Sequence, residues 1–182
     1  MNPHVGYFLA KIIGKIKRDR QKETLNKWFI KRGVHLENDG PGWININSNI
    51  AVNEPHLITI GNGTTIAGNV EFVTHDNSIS KVMPNVTDLF GEIKIGRNCF
   101  VGARAVVMYG VTLADNVIVA AGSVVTKSVS ESNVIVAGNP AKIIGTWDAF
   151  AEKSKDLVWN LNMISRDEMI RQTSQGIRLV RK

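Results

Sequence analysis

From Ile95 onward an aliphatic residue returns at every sixth position: Ile95, Val101, Val107, Leu113, Val119 and Val125. A second register four places later holds small or moderate residues, Cys99, Ala105, Val111, Val117, Ser123 and Val129. Gly or Ala often follows the aliphatic position, as in Ile95-Gly96, Val101-Gly102, Leu113-Ala114 and Val119-Ala120. Upstream, Ile60-Gly61, Ile66-Ala67 and Phe72-Val73 keep the same beat, and Ile46 and Val52 are again six apart before a two-residue slip to Ile60. Period six fits neither a helix nor an ordinary alternating strand. It fits a short strand and a tight turn, repeated three times to close a triangular coil. The aliphatic residue then points into a narrow prism and stacks on its counterpart one coil away. The four-later position lies near the turn, where bulk is limited, and Gly at a corner supplies backbone freedom. Short sandwich strands with coincidental spacing are the alternative. Six consecutive hits in one register select a parallel β-helix.

The beat stops between Phe72 and Ile93. Residues 76–92 contain Pro84, Gly91 and mixed polarity, and are expected to form a loop that leaves the prism. Long loops on repeat scaffolds are where function tends to sit. The ends read as helical. Phe8, Leu9, Ile12, Ile13 and Ile16 recur at helical spacing with Lys11, Lys15 and Lys17 between them, and Trp28, Phe29 and Ile30 form a second apolar cluster. Such a basic helix packs on the prism or a neighbouring subunit; peripheral contact with an anionic membrane surface is the alternative use. Ser165-Arg166-Asp167-Glu168 has capping-box spacing, so a helix is expected from about Asp167. Phe150, Leu157, Trp159 and Leu161 suggest an earlier one packed on the prism. The chain thus divides into an N-terminal basic helical arm (1–42), a β-helix domain (43–147) carrying the loop, and a C-terminal helical tail (148–182).

Charge changes the picture of partners. The net charge of the 182 residues is +6, but residues 1–32 carry nine basic and two acidic side chains, whereas 33–147 carry six basic and nine acidic. A nucleic-acid-binding domain concentrates its positive excess on the folded body; this body is slightly acidic, so a dedicated nucleic-acid binder is not expected. The single cysteine, Cys99, cannot form an internal disulfide, which fits a reducing compartment. The apolar opening is broken by Lys11 and Lys15, unlike a signal peptide, and no run of about 18 uncharged apolar residues is present. A soluble, cytoplasmic protein is expected.

The hexads, with Ala121-Gly122-Ser123-Val124-Val125-Thr126-Lys127 and Ala137-Gly138-Asn139-Pro140-Ala141-Lys142, resemble the hexapeptide-repeat acyltransferases. The resemblance covers roughly residues 43–147. It is strongest to the branch of galactoside, maltose and xenobiotic acetyltransferases and capsular-polysaccharide O-acetyltransferases. It implies a left-handed β-helix, a homotrimer with active sites between subunits, acetyl-coenzyme A (acetyl-CoA) as donor, and no metal.

The resemblance also implies a catalytic base at His75, in Val73-Thr74-His75-Asp76, where the coils give way to the loop and some fifty residues ahead of Thr126-Lys127. A sugar hydroxyl is a poor nucleophile at neutral pH, while a thioester is already activated, so removing the hydroxyl proton is the main task. Neutral imidazole, with an unperturbed pKa of ~6.5, suits it. Direct transfer without an acetyl-enzyme is expected, with an oxyanion held by a backbone N–H. Cys99, the competing nucleophile, sits where a small buried residue is expected. For the donor, the resemblance implies main-chain contacts at Ala103 and Ala121, with Thr126 and Lys127 near the ribose phosphate. Lys142, in the Asn139-Pro140-Ala141-Lys142 turn, is expected as a second phosphate contact. For a saccharide acceptor it implies Asn47 and Glu54, which are otherwise coil corners, and Phe100, which lacks the N–H that a Trp would offer. A xenobiotic O-acetyltransferase and a non-catalytic β-helix scaffold are the alternatives. A zinc lyase is not expected, because only His4, His35, His56 and His75 exist and two of them lie in the coils.

Overall fold

Residues 18–38, 40–50, 53–160 and 163–180 are described in the structure, a computed structural model. Expectations for the Phe8–Ile16 helix, Val52 and Leu161 fall outside these residues. The chain winds into three sheets of parallel two- to five-residue strands, one of them extended at its end by Ala141–Thr146, and the hexad residues explain how. Leu36, Ile60, Ile95 and Leu113 stack in register on the first face. Ile44, Ile66, Val101, Val119 and Val136 stack on the second, and Phe72, Val107 and Val125 on the third. Ile95, Val101 and Val107 therefore occupy successive faces, and the residue 18 positions on lies directly over each. All six hexad aliphatics from Ile95 to Val125 are buried, as are Cys99, Ala105, Val111, Val117 and Ser123 at the four-later register. Fully burying one such aliphatic side chain contributes about 1.5–3 kcal/mol.

Two corners of the triangle turn through left-handed backbone. Gly63, Asn98 and Asn116 share one column and Asn69, Arg104 and Gly122 another, all at positive φ. Asn tolerates this region better than most residues, and the side chains of Asn98 and Asn116 bond each other at 2.9 Å. The same first corner requires absent side chains: a Cβ on Gly61 would lie 2.5 Å from the Gly96 backbone, and one on Gly96 would lie 2.6 Å from Ala114.

The third corner is irregular. Gly110 takes the left-handed turn at φ 77°, but its counterpart one coil earlier is His75, where the chain departs instead of turning. Val107 follows Phe72 by 35 residues rather than 18, so 17 residues are extruded here without disturbing the stack. Upstream, Ile44 and Ile50 rather than Ile46 are buried in the stack, and Asn49 pairs with Glu71, which makes Ile50 the counterpart of Phe72. Ile60 follows Ile50 by 10 residues rather than 6, so the slip is four residues and not two; it leaves at the same corner of the preceding coil, where Pro55–Leu57 form a 3-10 turn.

Helix α1 (Arg18–Lys31) packs on the prism, one of the two uses expected of the basic helical segment. Leu25 and Phe29, four apart, are buried in the core with Val34, and strand His35–Leu36 pairs with Thr59 and Ile60. Trp28 is half-buried against Phe29, whereas Ile30 is 55% exposed. The prism therefore starts before residue 43. Residues Gly145–Lys182 form a second compact unit. In it α2 (Trp147–Ser154) is capped by Thr146 and has no buried residue, Phe150 included. Helix α3 (Arg166–Ser174) starts where the capping pattern placed it, with the Ser165 hydroxyl accepting from the Glu168 N–H. Among the described residues no helix is long and apolar enough to cross a membrane.

The close approach at the first corner sets a test. Gly96→Val should cost about 1–3 kcal/mol by overpacking, read as a lower urea midpoint. Gly145→Ala, which meets open space, should leave the midpoint in place. Equal midpoints for both variants would show that the corner yields.

Candidate functional site

The irregular third edge of the prism collects the reactive side chains. Thr74, Tyr109 and Lys127 occupy equivalent positions two residues beyond Phe72, Val107 and Val125, and the 3-10 turn after Glu54 caps the same edge. Thr74 is buried and its hydroxyl donates to Glu54 Oε2. The same oxygen lies 2.9 Å from His75 Nδ1. A carboxylate only accepts, so Nδ1 carries the proton, and the neutral ring keeps its lone pair on Nε2. His75 is 34% and Glu54 23% exposed at the side chain. The hydrogen bond to Glu54 raises the pKa of His75 against an opposing desolvation, with the charges of Glu54, Asp88 and Asp76 adding to the rise. Burial works against ionisation of Glu54, but hydrogen bonds from Thr74 and His75 outweigh it and lower its pKa.

The extruded loop starts and ends beside this pair. Strand His75–Asp76 pairs antiparallel with Leu89–Phe90, setting His75 opposite Phe90 and Asp76 opposite Leu89. The His75 and Phe90 rings are 5.9 Å apart at 45°. Asp76 caps the 3-10 turn Asn77–Lys81 by accepting from the Ser78 N–H at 2.8 Å. Its other oxygen accepts from the Tyr109 hydroxyl at 3.2 Å, which fastens the loop root to the next coil. Val82, Met83, Val86, Leu89 and Phe90 are all exposed along the loop.

The expected site residues divide over the prism. Thr126 and Lys127 are exposed on the edge that carries His75. Ala103 and Ala121 are exposed and stacked on a different edge, the corner after the second face, where the Gly122 N–H donates to the Ala103 carbonyl. Lys142 lies not in a turn but in strand Ala141–Thr146, with its side chain exposed. Among the described residues neither Lys127 nor Lys142 is ion-paired. Glu54 does reach the site, but its Oε2 is taken by Thr74 and His75. Asn47 is an exposed turn residue whose N–H bonds Asn45, and no described contact joins it to His75. Phe100 lies on the outer side of the second face between Thr65 and Ile118, 44% exposed. Cys99 is buried, with its pKa raised by desolvation, which disfavours the thiolate a nucleophile needs. Among the described residues no group of three His, Cys, Asp or Glu is placed to hold a metal ion.

Phe90, Thr74 and Tyr109 were not singled out from the sequence. Tyr109 is found by counting two places past each third-face aliphatic, which aligns it with Thr74 and Lys127. Phe90 carries no such signal, because its place opposite His75 depends on how the loop folds back.

A hexapeptide-repeat profile described as "Hexapeptide repeat of succinyl-transferase" matches residues 92–127. Protein CapG of Staphylococcus aureus is 43% identical over 141 residues, covering 76% of this chain and 78% of that protein. Galactoside O-acetyltransferase of Escherichia coli K12 is 32% identical over 99 residues, covering 54% of this chain and 48% of the relative, so the chain spans about half of that protein. Among solved structures, a maltose O-acetyltransferase from Clostridium difficile superposes with a TM-score of 0.54 at 21% identity, covering 79% of this chain and 84% of that one, a likeness of fold. The stacked hexads, the three parallel faces and these relatives together make this chain a member of the hexapeptide-repeat acyltransferase family, with its left-handed parallel β-helix.

Proposed function

We propose that this protein is an acetyl-CoA-dependent O-acetyltransferase acting on the hydroxyl of a sugar or polysaccharide precursor, with His75 as general base. The observation that carries the reading is the Glu54–His75 bond, which commits Nδ1 and leaves Nε2 basic on the edge that also holds Thr126 and Lys127. Names among the relatives support the chemistry: a galactoside O-acetyltransferase and a lipopolysaccharide-biosynthesis O-acetyltransferase.

In this mechanism Nε2 takes the proton of the acceptor hydroxyl as its oxygen attacks the thioester carbon. The imidazolium that forms is stabilised by Glu54 through Nδ1–H. When the tetrahedral intermediate collapses, the carbon–sulfur bond breaks, and His75 returns the proton to the departing thiolate. A backbone N–H near the coil edge holds the oxyanion in the interval. Lys127, with Thr126 beside it, presents a cation to the donor's phosphates, and Lys142 offers a second.

The donor residues argue for more than one copy. Ala103 and Ala121 lie on a different prism edge from Lys127, and one face of about six residues spans roughly 20 Å at ~3.3 Å per residue. One extended ligand meets both sets when the edges of two copies face each other, and a head-to-tail contact that closes makes a ring. We place three chains in that ring, with a site at each interface. Phe100, Ile118 and Ile135, in register on the outer side of the second face, suit such an interface better than a polar acceptor contact. The site reading also favours a chain that works where acetyl-CoA is made, in the cytoplasm.

Three outcomes are expected. His75→Ala should lower kcat for thiol release from acetyl-CoA by about 10²–10⁴-fold; activity within a few-fold of the parent would exclude His75 as the base. Because Glu54 favours the protonated imidazole, neutral His75 accumulates only above a raised pKa. Glu54→Gln should therefore move the acid limb of kcat/KM to lower pH while lowering the plateau, and an unmoved limb would assign Glu54 a packing role alone. In light scattering the protein should run near three times its 20.0 kDa chain mass, and a fully active monomer would remove the shared site.

A further inference from the structure

An aromatic ring and three carboxylates stand near His75. Phe90 stands opposite His75 in the hairpin register, its ring 5.9 Å away, and 60% of it is exposed. Such a bare ring beside a base offers a flat apolar surface to whatever presents its hydroxyl there. Aromatic side chains supply contact area of this kind with little loss of side-chain freedom.

Among the described residues, the charges that act on His75 are negative. Glu54 holds Nδ1; Asp76 adjoins His75 and is fixed by Ser78 and Tyr109; Asp88 leads into the strand that carries Phe90. The proton affinity of His75 responds to all three carboxylates. Lys81 is the one basic residue between 76 and 92, and it closes the 3-10 turn Asn77–Lys81, at the end away from His75. Lys127, which has no ion pair among the described residues, lies two coils away on the same edge.

Resting on the acetyl-transfer reading above, we propose that the acceptor is an uncharged sugar ring laid against Phe90, and that Glu54, Asp76 and Asp88 reject anionic sugars such as uronic and sialic acids. A like charge about 4 Å from a carboxylate costs roughly fivefold in affinity at the dielectric of water, and more where water is displaced. Selection by repulsion of this kind needs no contact specific to the preferred ligand.

The test measures thiol release from acetyl-CoA with 4-nitrophenyl pyranosides of gluco, galacto and manno configuration and with the matching uronides. The neutral member of a turned-over pair should exceed its uronide at least tenfold in kcat/KM. Asp88→Asn should narrow that ratio about fivefold. Phe90→Ala should raise KM for the neutral sugar roughly two- to tenfold, more than it lowers kcat. A uronide used as well as its neutral partner, or a ratio that Asp88→Asn leaves untouched, overturns this inference; the acetyl-transfer reading then stands, provided His75→Ala still abolishes release in both series. Release that survives His75→Ala, or none with any member of the panel, overturns the reading beneath, and the inference falls with it.

Discussion

The fold depends on one stacking requirement: each inward aliphatic residue must land on its counterpart one coil away. Strands of two or three residues bury too little to hold themselves, so stability comes from neighbouring coils. Ile95 under Leu113, Val101 under Val119 and Val107 under Val125 express that requirement at a spacing of 18. It has a corollary for insertions. Any residue beyond the hexads must be pushed out at a corner, or every later side chain would turn from core to solvent.

The two longer insertions leave at the third edge, while two further residues leave between Leu36 and Ile44, on the first and second faces. The slip before Ile60 becomes the short turn after Glu54, and the longer one becomes the loop that begins at His75. Because they leave from the same edge one coil apart, Glu54 and His75 emerge side by side, with buried Thr74 fixing the carboxylate between them. The pair is held by the rigid stack rather than by the loop alone, which fixes the two side chains relative to each other. Tyr109, from the coil that follows, ties the loop root down from the other side.

The prism was legible because its rule is local and repeated: period six can be counted without knowing any distant contact. His75 was legible through its position at the break in that count. The role of Glu54 was not, since a residue 21 positions before His75 reads as a corner or an acceptor contact until the two longer insertions are seen to share an edge. How far helix α1 enters the core was not legible, for a different reason. Leu25 and Phe29 sit four apart among charged residues, and the adjacent Trp28-Phe29-Ile30 run hides that Phe29 points inward while Ile30 does not. Lys142 was placed in a turn because Asn139-Pro140 signals one; the strand resumes at Ala141, one residue sooner than that signal implies.

The charge asymmetry of the sequence acquires direction along this edge. The body as a whole is slightly acidic; Glu54, Asp76 and Asp88 gather where the loop leaves, and Lys127, two coils on along the same edge, has no ion pair among the described residues. Sorting of this kind orients two different substrates at once, because an anionic donor is attracted to one end and repelled from the other. The carboxylates around His75 also raise its proton affinity, the hydrogen bond to Glu54 most of all. In the transfer proposed above, the same negative charge would set both the strength of the base and the sign of what approaches it.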